Sequence, residues 1–438
     1  MSPDLFITLV MFASLIIALF SGIPVIFGIS GAAILWVIVF AGPQYLYSIP
    51  LQLISITNNE ILLAMPMFIL MGNFIAYSGI GDELFGTIHM FFGPLRGGLA
   101  MGTVVICAIF AACSGLISVA ILTMGLIALP SMLSRHYDKH IALGTLAAGG
   151  ALGTLIPPSV PMIIYASLTQ VSVGKLFSGG VVPGVMLAGF YIFYIGIRSF
   201  FNSKLCPSIP KEETPSWIEK LKAIRALTAP LVLIVLVLGS IWSGVATPTE
   251  AGSVGAFGAL LVTVLKRRFT WSMLRDAVWR SALLTSFGVF ILLAAGAFNT
   301  VYMTTGASNL IKRIMTGLPV QPEMVIIIFM GIIFFCGMIM DEWAMLILLT
   351  PLFVPTVIAL GFDPLWFGVL FIVNIQMAYL TPPYGFALFL IKSILPKGLD
   401  MSDLYRAIVP FVILQFIGLI LCFIFPKIIL WLPNLLIK

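Results

Sequence analysis

The sequence GTLIPPS at residues 153–159 interrupts an apolar stretch at about 141–168, and TPPYG at residues 381–385 interrupts a second one at about 364–395. Proline has no amide hydrogen to donate and disfavours helix at the residue before it, so each Pro-Pro pair ends a half-helix. The two segments therefore predict two broken membrane helices. The alternative is that each Pro-Pro pair forms a loop at the membrane surface.

The sequence around the two breaks repeats. Pro130 precedes Pro157 by the same number of residues as Pro355 precedes Pro382. Further matches occur in the same order, between GIG at 79–81 and GAS at 306–308, and between the LF pair before Pro183 and the LY pair before Pro410. Such self-similarity predicts two related membrane halves, at 1–201 and 230–438, joined by a polar linker at 202–229.

Composition indicates a bilayer as the solvent. Of 438 residues, 61% are hydrophobic and 9% are charged, against about 25% charged in a typical soluble domain. The apolar segment at 6–20 has no basic region before it, so we expect a retained first helix and not a cleaved signal. The net charge of +6 comes from basic residues in short loops, where they orient a membrane chain, so no nucleic acid is expected as a partner.

Two more apolar stretches, at about 100–133 and 324–360, are interrupted by CSGLIS at 113–118 and by GMIMD at 337–341. We expect each to form a re-entrant hairpin with the interruption at its tip. The predicted fold class is thus an all-α polytopic membrane protein, an inverted-repeat transporter with two hairpins and two broken helices. Alternatively, Ser114 and Gly115 make a close helix-packing contact, and Asp341 lies at the surface beside Glu342.

Broken helices expose backbone carbonyls and amides that an intact helix would pair, and they aim helix dipoles at the gap. Carbonyls, hydroxyls and one carboxylate suit a hard cation, and sodium or protons are the coupling ions to consider. Sodium is favoured because the three histidines lie outside the breaks. The residues predicted to border one cation site are Ser114, Gly115, Gly153, Thr154 and Pro157. The residues predicted to border a second, related cation site are Gly337, Asp341, Ala378, Thr381 and Pro382. The residues predicted to contact substrate are Ser118, Ser159 and Tyr384.

Basic residues give a prediction of sidedness. The linker that begins at 202 carries several lysines, and KRR at 266–268, followed by Arg275 and Arg280, comes two spans later. An even number of crossings puts both loops on one side, and the positive-inside tendency makes that side the cytoplasm.

Motifs of enzymes and ATP-driven pumps are missing from the sequence. It has no nucleotide-binding P-loop, no Gly-x-Ser-x-Gly elbow and no aspartate-rich prenyl-pyrophosphate motif. These gaps argue against ATP as the energy source and against an intramembrane enzyme. A polytopic membrane enzyme or a channel is retained as the alternative class, and no cofactor is expected.

The IPPS segment at 156–159, VSVGKLF at 171–177, AMPMFILMG at 64–72 and ATPTEA at 246–251 together resemble the large membrane subunit of TRAP (tripartite ATP-independent periplasmic) transporters, from about residue 5 to 425. This resemblance implies a sodium-driven elevator in a bacterial inner membrane that imports a small organic acid. It also implies two protein partners, a periplasmic substrate-binding protein and a small four-helix membrane subunit. A stand-alone ion-coupled carrier is the rival reading.

Two positions depart from the family pattern. This chain has SGLI at 114–117 where family members usually have a more hydroxyl-rich Ser-Gly-Ser-Ser, so side-chain ligands at 116 and 117 are not expected. Tyr384 stands where a smaller residue is more usual, and we expect it to reshape the substrate pocket.

Overall fold

The computed structural model describes residues 3–202, 204–208, 216–307, 310, 313, 317, 319–383 and 385–437. The first half contains α1 (Pro3–Phe20), α2 (Val25–Trp36), α3 (Ser48–Thr57), α4 (Ala64–Tyr77), α5 (Ile80–Phe92), α6 (Gly98–Ser114), α7 (Ile117–Ser134), α8 (Lys139–Ala151), α9 (Val160–Thr169) and α10 (Val173–Phe201). The second half contains α11 (Trp217–Trp242), α12 (Pro248–Leu265), α13 (Trp271–Thr304), α14 (Pro322–Gly337), α15 (Glu342–Ala359), α16 (Pro364–Tyr379), α17 (Phe386–Lys392), α18 (Met401–Ile424) and α19 (Lys427–Leu436).

The elements follow the predicted repeat. The helix pair α6–α7 corresponds to α14–α15, the interrupted pair α8–α9 corresponds to α16–α17, and α10 corresponds to α18. Every regular element in the described ranges is helical, and eight of these helices are long and apolar enough to cross a membrane. The predicted all-α polytopic fold is confirmed, whereas re-entry of the two helix pairs into the bilayer stays a prediction.

Both Pro-Pro pairs lie between helix segments. In the first half, α8 continues into a short 3-10 turn at Leu152–Thr154, and α9 begins at Val160 with Pro161 in its first turn. In the second half, α16 ends at Tyr379 and α17 begins at Phe386. The Pro157–Pro158 and Pro382–Pro383 peptide bonds are both cis.

The predicted linker at 202–229 is partly helical, because α11 begins at Trp217. A capping box explains this start. The Glu219 amide donates to the Ser216 hydroxyl at 3.3 Å, and the Ser216 amide donates to the Glu219 carboxylate at 2.7 Å. These bonds satisfy amides that a helix start leaves unpaired. The polarity of the segment predicts a linker, and polar residues also suit the exposed first turns of a helix.

Helix α13 begins at Trp271, three residues after the basic cluster at 266–268. The Thr270 hydroxyl accepts from the Met273 amide at 3.1 Å and caps the helix. Arg275 and Arg280 therefore lie on a helix and not in the basic loop to which the sequence assigned them. Helix α13 is 34 residues long, and both cavities described below lie along it.

Candidate transport site

The turn between α6 and α7 lies against the first Pro-Pro break. Gly115 ends α6 with a φ of 64°, and a Cβ added there would be 2.8 Å from the Pro158 carbonyl oxygen. A Cβ on Gly153 would be 3.4 Å from the Ile117 amide nitrogen. The structure therefore brings together Ser114, Gly115 and the break at 153–158, which the sequence predicted to border one cation site.

The end of α14 lies against the second break in a similar way. A Cβ added to Gly337 would be 2.6 Å from the Cβ of Ala378, near the end of α16. The carboxylate of Asp341 caps α15, because it accepts from the Trp343 amide at 3.1 Å. The structure thus places Gly337 beside Ala378, while the side chain of Asp341 serves its own helix.

Threonine hydroxyl groups at the breaks donate hydrogen bonds to nearby backbone carbonyls. Thr154 Oγ1 donates to the Ala151 carbonyl at 3.0 Å, and Thr381 Oγ1 donates to the Met377 carbonyl at 2.9 Å. Each hydroxyl uses its hydrogen in this way and keeps oxygen lone pairs for a further ligand. The Ser114 hydroxyl is fully buried and has no hydrogen-bond partner in the part of the chain that the structure describes. A bound cation would satisfy its oxygen.

The three residues predicted to contact substrate do not share one environment. Ser159 is fully buried and its hydroxyl donates to the Thr154 carbonyl, so in this arrangement it supports the break. Ser118 is half-buried and lines an open cavity. Tyr384 lies outside the described residues. A substrate role for these three positions stays a prediction.

Sequence reasoning missed one acid near the second break. The sequence names Glu342 only in the alternative that places Asp341 at the surface beside it, but Glu342 is buried, with 7% of its surface exposed. Its Oε2 atom has no hydrogen-bond partner among the described residues. Two adjacent acids in a sequence carry no signal for which one faces the interior, because that depends on where the helix starts.

Two cavities lie along α13. The Arg280 cavity, of about 630 Å³, has lining residues that include Asn73, Tyr77, Asp82, Ser118, Thr123 and Arg280. The Asn299 cavity, of about 520 Å³, has lining residues that include Asn59, Gln170, Asn299 and Thr350. The first touches the early part of α13 and the second its later part, so the two cavities lie toward opposite ends of that helix.

Trp343 packs against α13 at Gly288, a position between the residues of α13 that line the two cavities. A Cβ added to Gly288 of α13 would be 2.4 Å from Cζ3 of the Trp343 ring, and the Phe287 ring lies 6.1 Å from it between centroids. The side chain is buried, with 5% exposure. The first turn of α15 is thus sealed against α13, whereas the start of α7 opens into the Arg280 cavity through Ser118.

Comparison with known proteins gives matches over most of the chain. A profile described as "Tripartite ATP-independent periplasmic transporter, DctM component" matches residues 11–428. The C4-dicarboxylate TRAP transporter large permease protein DctM of Pseudomonas aeruginosa is 33% identical over 408 residues, which cover 93% of each chain. The isethionate TRAP transporter permease protein DctMQ of Oleidesulfovibrio alaskensis is 28% identical over 96% of this chain and 65% of its own length.

A solved structure shares the fold. The structure of MtrF from Neisseria gonorrhoeae superposes with a TM-score of 0.66 at 15% identity, over 88% of this chain and 85% of that one. At this identity the similarity concerns the arrangement of helices alone.

Proposed function

The chain belongs to the DctM component family of tripartite ATP-independent periplasmic transporters, and on that premise we propose that it is a sodium-driven permease subunit that imports a small organic acid. One observation carries the proposal: the turn between α6 and α7 lies against the first Pro-Pro break, and the end of α14 lies against the last turn of α16, just before the second break. Gly115 meets the Pro158 carbonyl, and Gly337 meets Ala378. The repeat thereby builds two regions of similar construction from the residues assigned to cations.

Helix ends supply the electrostatics for a cation. Helices α6 and α8 end at the first region, and α14 and α16 end at the second. The carboxyl end of a helix carries unpaired carbonyls and a partial negative charge of about half an elementary charge. Two such ends at each break favour a monovalent cation, as they do at the broken helices of other transporters.

Two helix starts at the first region suit an anion. Helix α7 begins at Ile117 and α9 begins at Val160, with amides at their first turns. Such amides and the positive end of the dipole bind carboxylate groups well. We propose a small organic acid as substrate, a class that includes the C4-dicarboxylate named for the Pseudomonas relative.

The partners follow from the family description, which names a tripartite, periplasmic system. We propose that a periplasmic substrate-binding protein delivers the acid and that a small four-helix membrane subunit completes the permease in the bacterial inner membrane. The two helix pairs and two broken helices would move as one body against a frame that includes α2, α11 and α12. The seal of Trp343 on α13 would then close one side while the Arg280 cavity is open.

Uptake by the reconstituted permease tests the sodium claim. The chain would be placed in vesicles with its small subunit, and its binding protein loaded with radiolabelled acid would be added outside. We expect uptake to require an inward sodium gradient and to fall to background when choline replaces sodium at constant pH. Undiminished uptake in choline would refute sodium coupling, and a proton gradient applied in choline would then test the other ion.

A further inference from the structure

We propose that Arg280 forms a docking site for a carboxylate group in the Arg280 cavity, at the cytoplasmic mouth of the transport path. The inference rests on the proposed function, because it takes the organic acid as the ligand. The site would hold an acid that has left the breaks and has not yet reached the cytoplasm. Arg280 would thus contribute to selectivity for anions at the exit.

The cavity is built from segments far apart in the sequence. Helix α4 contributes Asn73 and Tyr77, α7 contributes Ser118 and Thr123, and α13 contributes Arg280. Ser118 lies three residues after Gly115, which contacts the first break, so one wall of the cavity begins close in the chain to the predicted cation site. A ligand that leaves that region through this cavity would enter a space that Arg280 also lines.

The Arg280 side chain is exposed, packs over the Tyr77 ring and is open to a ligand. Its guanidinium carbon lies 5.9 Å from the centroid of the Tyr77 ring, within the range of a cation–π contact. In the described part of the chain no carboxylate forms an ion pair with it. A planar guanidinium binds a carboxylate through two parallel hydrogen bonds, which makes arginine well suited to this ligand.

The wall beside Arg280 is fixed by a buried hydrogen bond. The Asn73 amide nitrogen donates to the Ser281 hydroxyl at 2.9 Å and to the Ile69 carbonyl at 3.1 Å. This bond ties α4 to α13 next to Arg280. The two helices that carry Asn73 and Arg280 are therefore held together before any ligand arrives, which lowers the cost of binding.

Charge distinguishes this cavity from the one at the other end of α13. Among the described residues that line the Asn299 cavity, none is charged, and the polar ones carry amides and hydroxyls. The Arg280 cavity has Arg280 and one acid, Asp82. Its side of the membrane also has the basic loop at 266–268, which includes Arg268 beside Gly79. The positive-inside tendency explains the basic residues of the loop. It does not explain Arg280, which lies in about the third turn of α13.

Charge-selective labelling of a cysteine tests the site without transport. The five native cysteines would be replaced, and Thr123→Cys introduced as the reporter on the cavity wall. Inside-out vesicles would be exposed to an anionic sulfonatoethyl or a cationic trimethylammonioethyl methanethiosulfonate, and the ratio of the two rates measured. We expect Arg280→Gln to lower the anionic-to-cationic ratio by roughly three- to ten-fold, as one unit charge at short range would. Arg280→Lys should preserve the ratio, and Asp82→Asn should raise it.

Protection by small anions completes the test. Acetate, succinate and isethionate would be added in turn, and at least one should slow the labelling with Arg280 present and lose this effect in Arg280→Gln. Three results would each overturn the proposal: no labelling from the cytoplasmic side, an unchanged ratio in Arg280→Gln, or protection by none of the anions. The labelling is done without sodium or the binding protein. If uptake proved independent of sodium, the labelling result for Arg280 would therefore still stand, and a negative labelling result would leave the sodium requirement of uptake untouched.

Discussion

Comparing Gly115→Ala with a control glycine distinguishes the effect of the contact at the first break from the effect of backbone strain alone. Alanine at a φ of 64° costs about 1–2 kcal/mol, because its Cβ approaches the next carbonyl in the left-handed region. The new Cβ would also lie 2.8 Å from the Pro158 carbonyl oxygen, and such overpacking typically adds about 1–3 kcal/mol. Gly244→Ala is the matched control, because Gly244 has a φ of 73° and no neighbouring atom within 4 Å of the added Cβ.

Thermal unfolding and sodium titration of uptake would be measured for both variants. We expect similar losses of stability from the backbone term, with a further loss in Gly115→Ala. In that variant alone the break moves away from Ser114, so the sodium concentration for half-maximal uptake should rise. If the clash destabilises the sodium-bound state by about 1.4 kcal/mol relative to the sodium-free state, that sodium concentration rises roughly ten-fold. A sodium titration of Gly115→Ala that matches Gly244→Ala would refute the placement of a cation at this contact.

Two further predictions concern the hydroxyl groups at both breaks and the seal. Thr154→Val and Thr381→Val each remove a hydroxyl beside a break, and a lost contact to a charge costs about 1.5–3 kcal/mol, so sodium titrations should shift roughly ten-fold or more; normal titrations in both folded variants would favour surface turns. Gly288→Leu would force the Trp343 ring away from α13, so cytoplasmic labelling of the Thr123→Cys reporter should slow as the sealed arrangement is depopulated. Gly189→Leu, where an added Cβ meets no atom within 4 Å, is the control, and equal labelling of the two variants would count against the seal.

The helix pairs and the breaks were predictable because proline and glycine interrupt apolar runs in a repeated order. The family resemblance, the transporter class and the judgement that the chain is not an enzyme are confirmed by the relatives and by the profile match. Helix α5 was missed, because Asp82 and Glu83 in its first turn interrupt the apolar pattern. The cation, the substrate residues and the limits of the two halves stay predictions.

The cavities and the seal could not be predicted from the sequence. The sequence assigned Arg280 to a loop because the basic cluster at 266–268 and Arg275 precede it. The helix that places it beside Tyr77 begins at the Thr270 cap, which the apolar pattern does not show. The contact between Gly288 and Trp343 joins α13 to α15 through tertiary packing. Apolar periodicity shows that each helix buries one face, but it does not show which helix packs against that face.

The segment at 341–343 has a thermodynamic consequence. Asp341 caps α15 beside the second break, and two residues later Trp343 closes against α13. Under the proposed function, the ion site and the gate therefore share one turn of backbone, and no relay between them is required. Linkage is reciprocal, so the factor by which sodium changes the equilibrium of the gate is the factor by which the gate changes the affinity for sodium. A substitution that shifts the gate equilibrium alone would accordingly change the observed sodium affinity without touching an ion ligand.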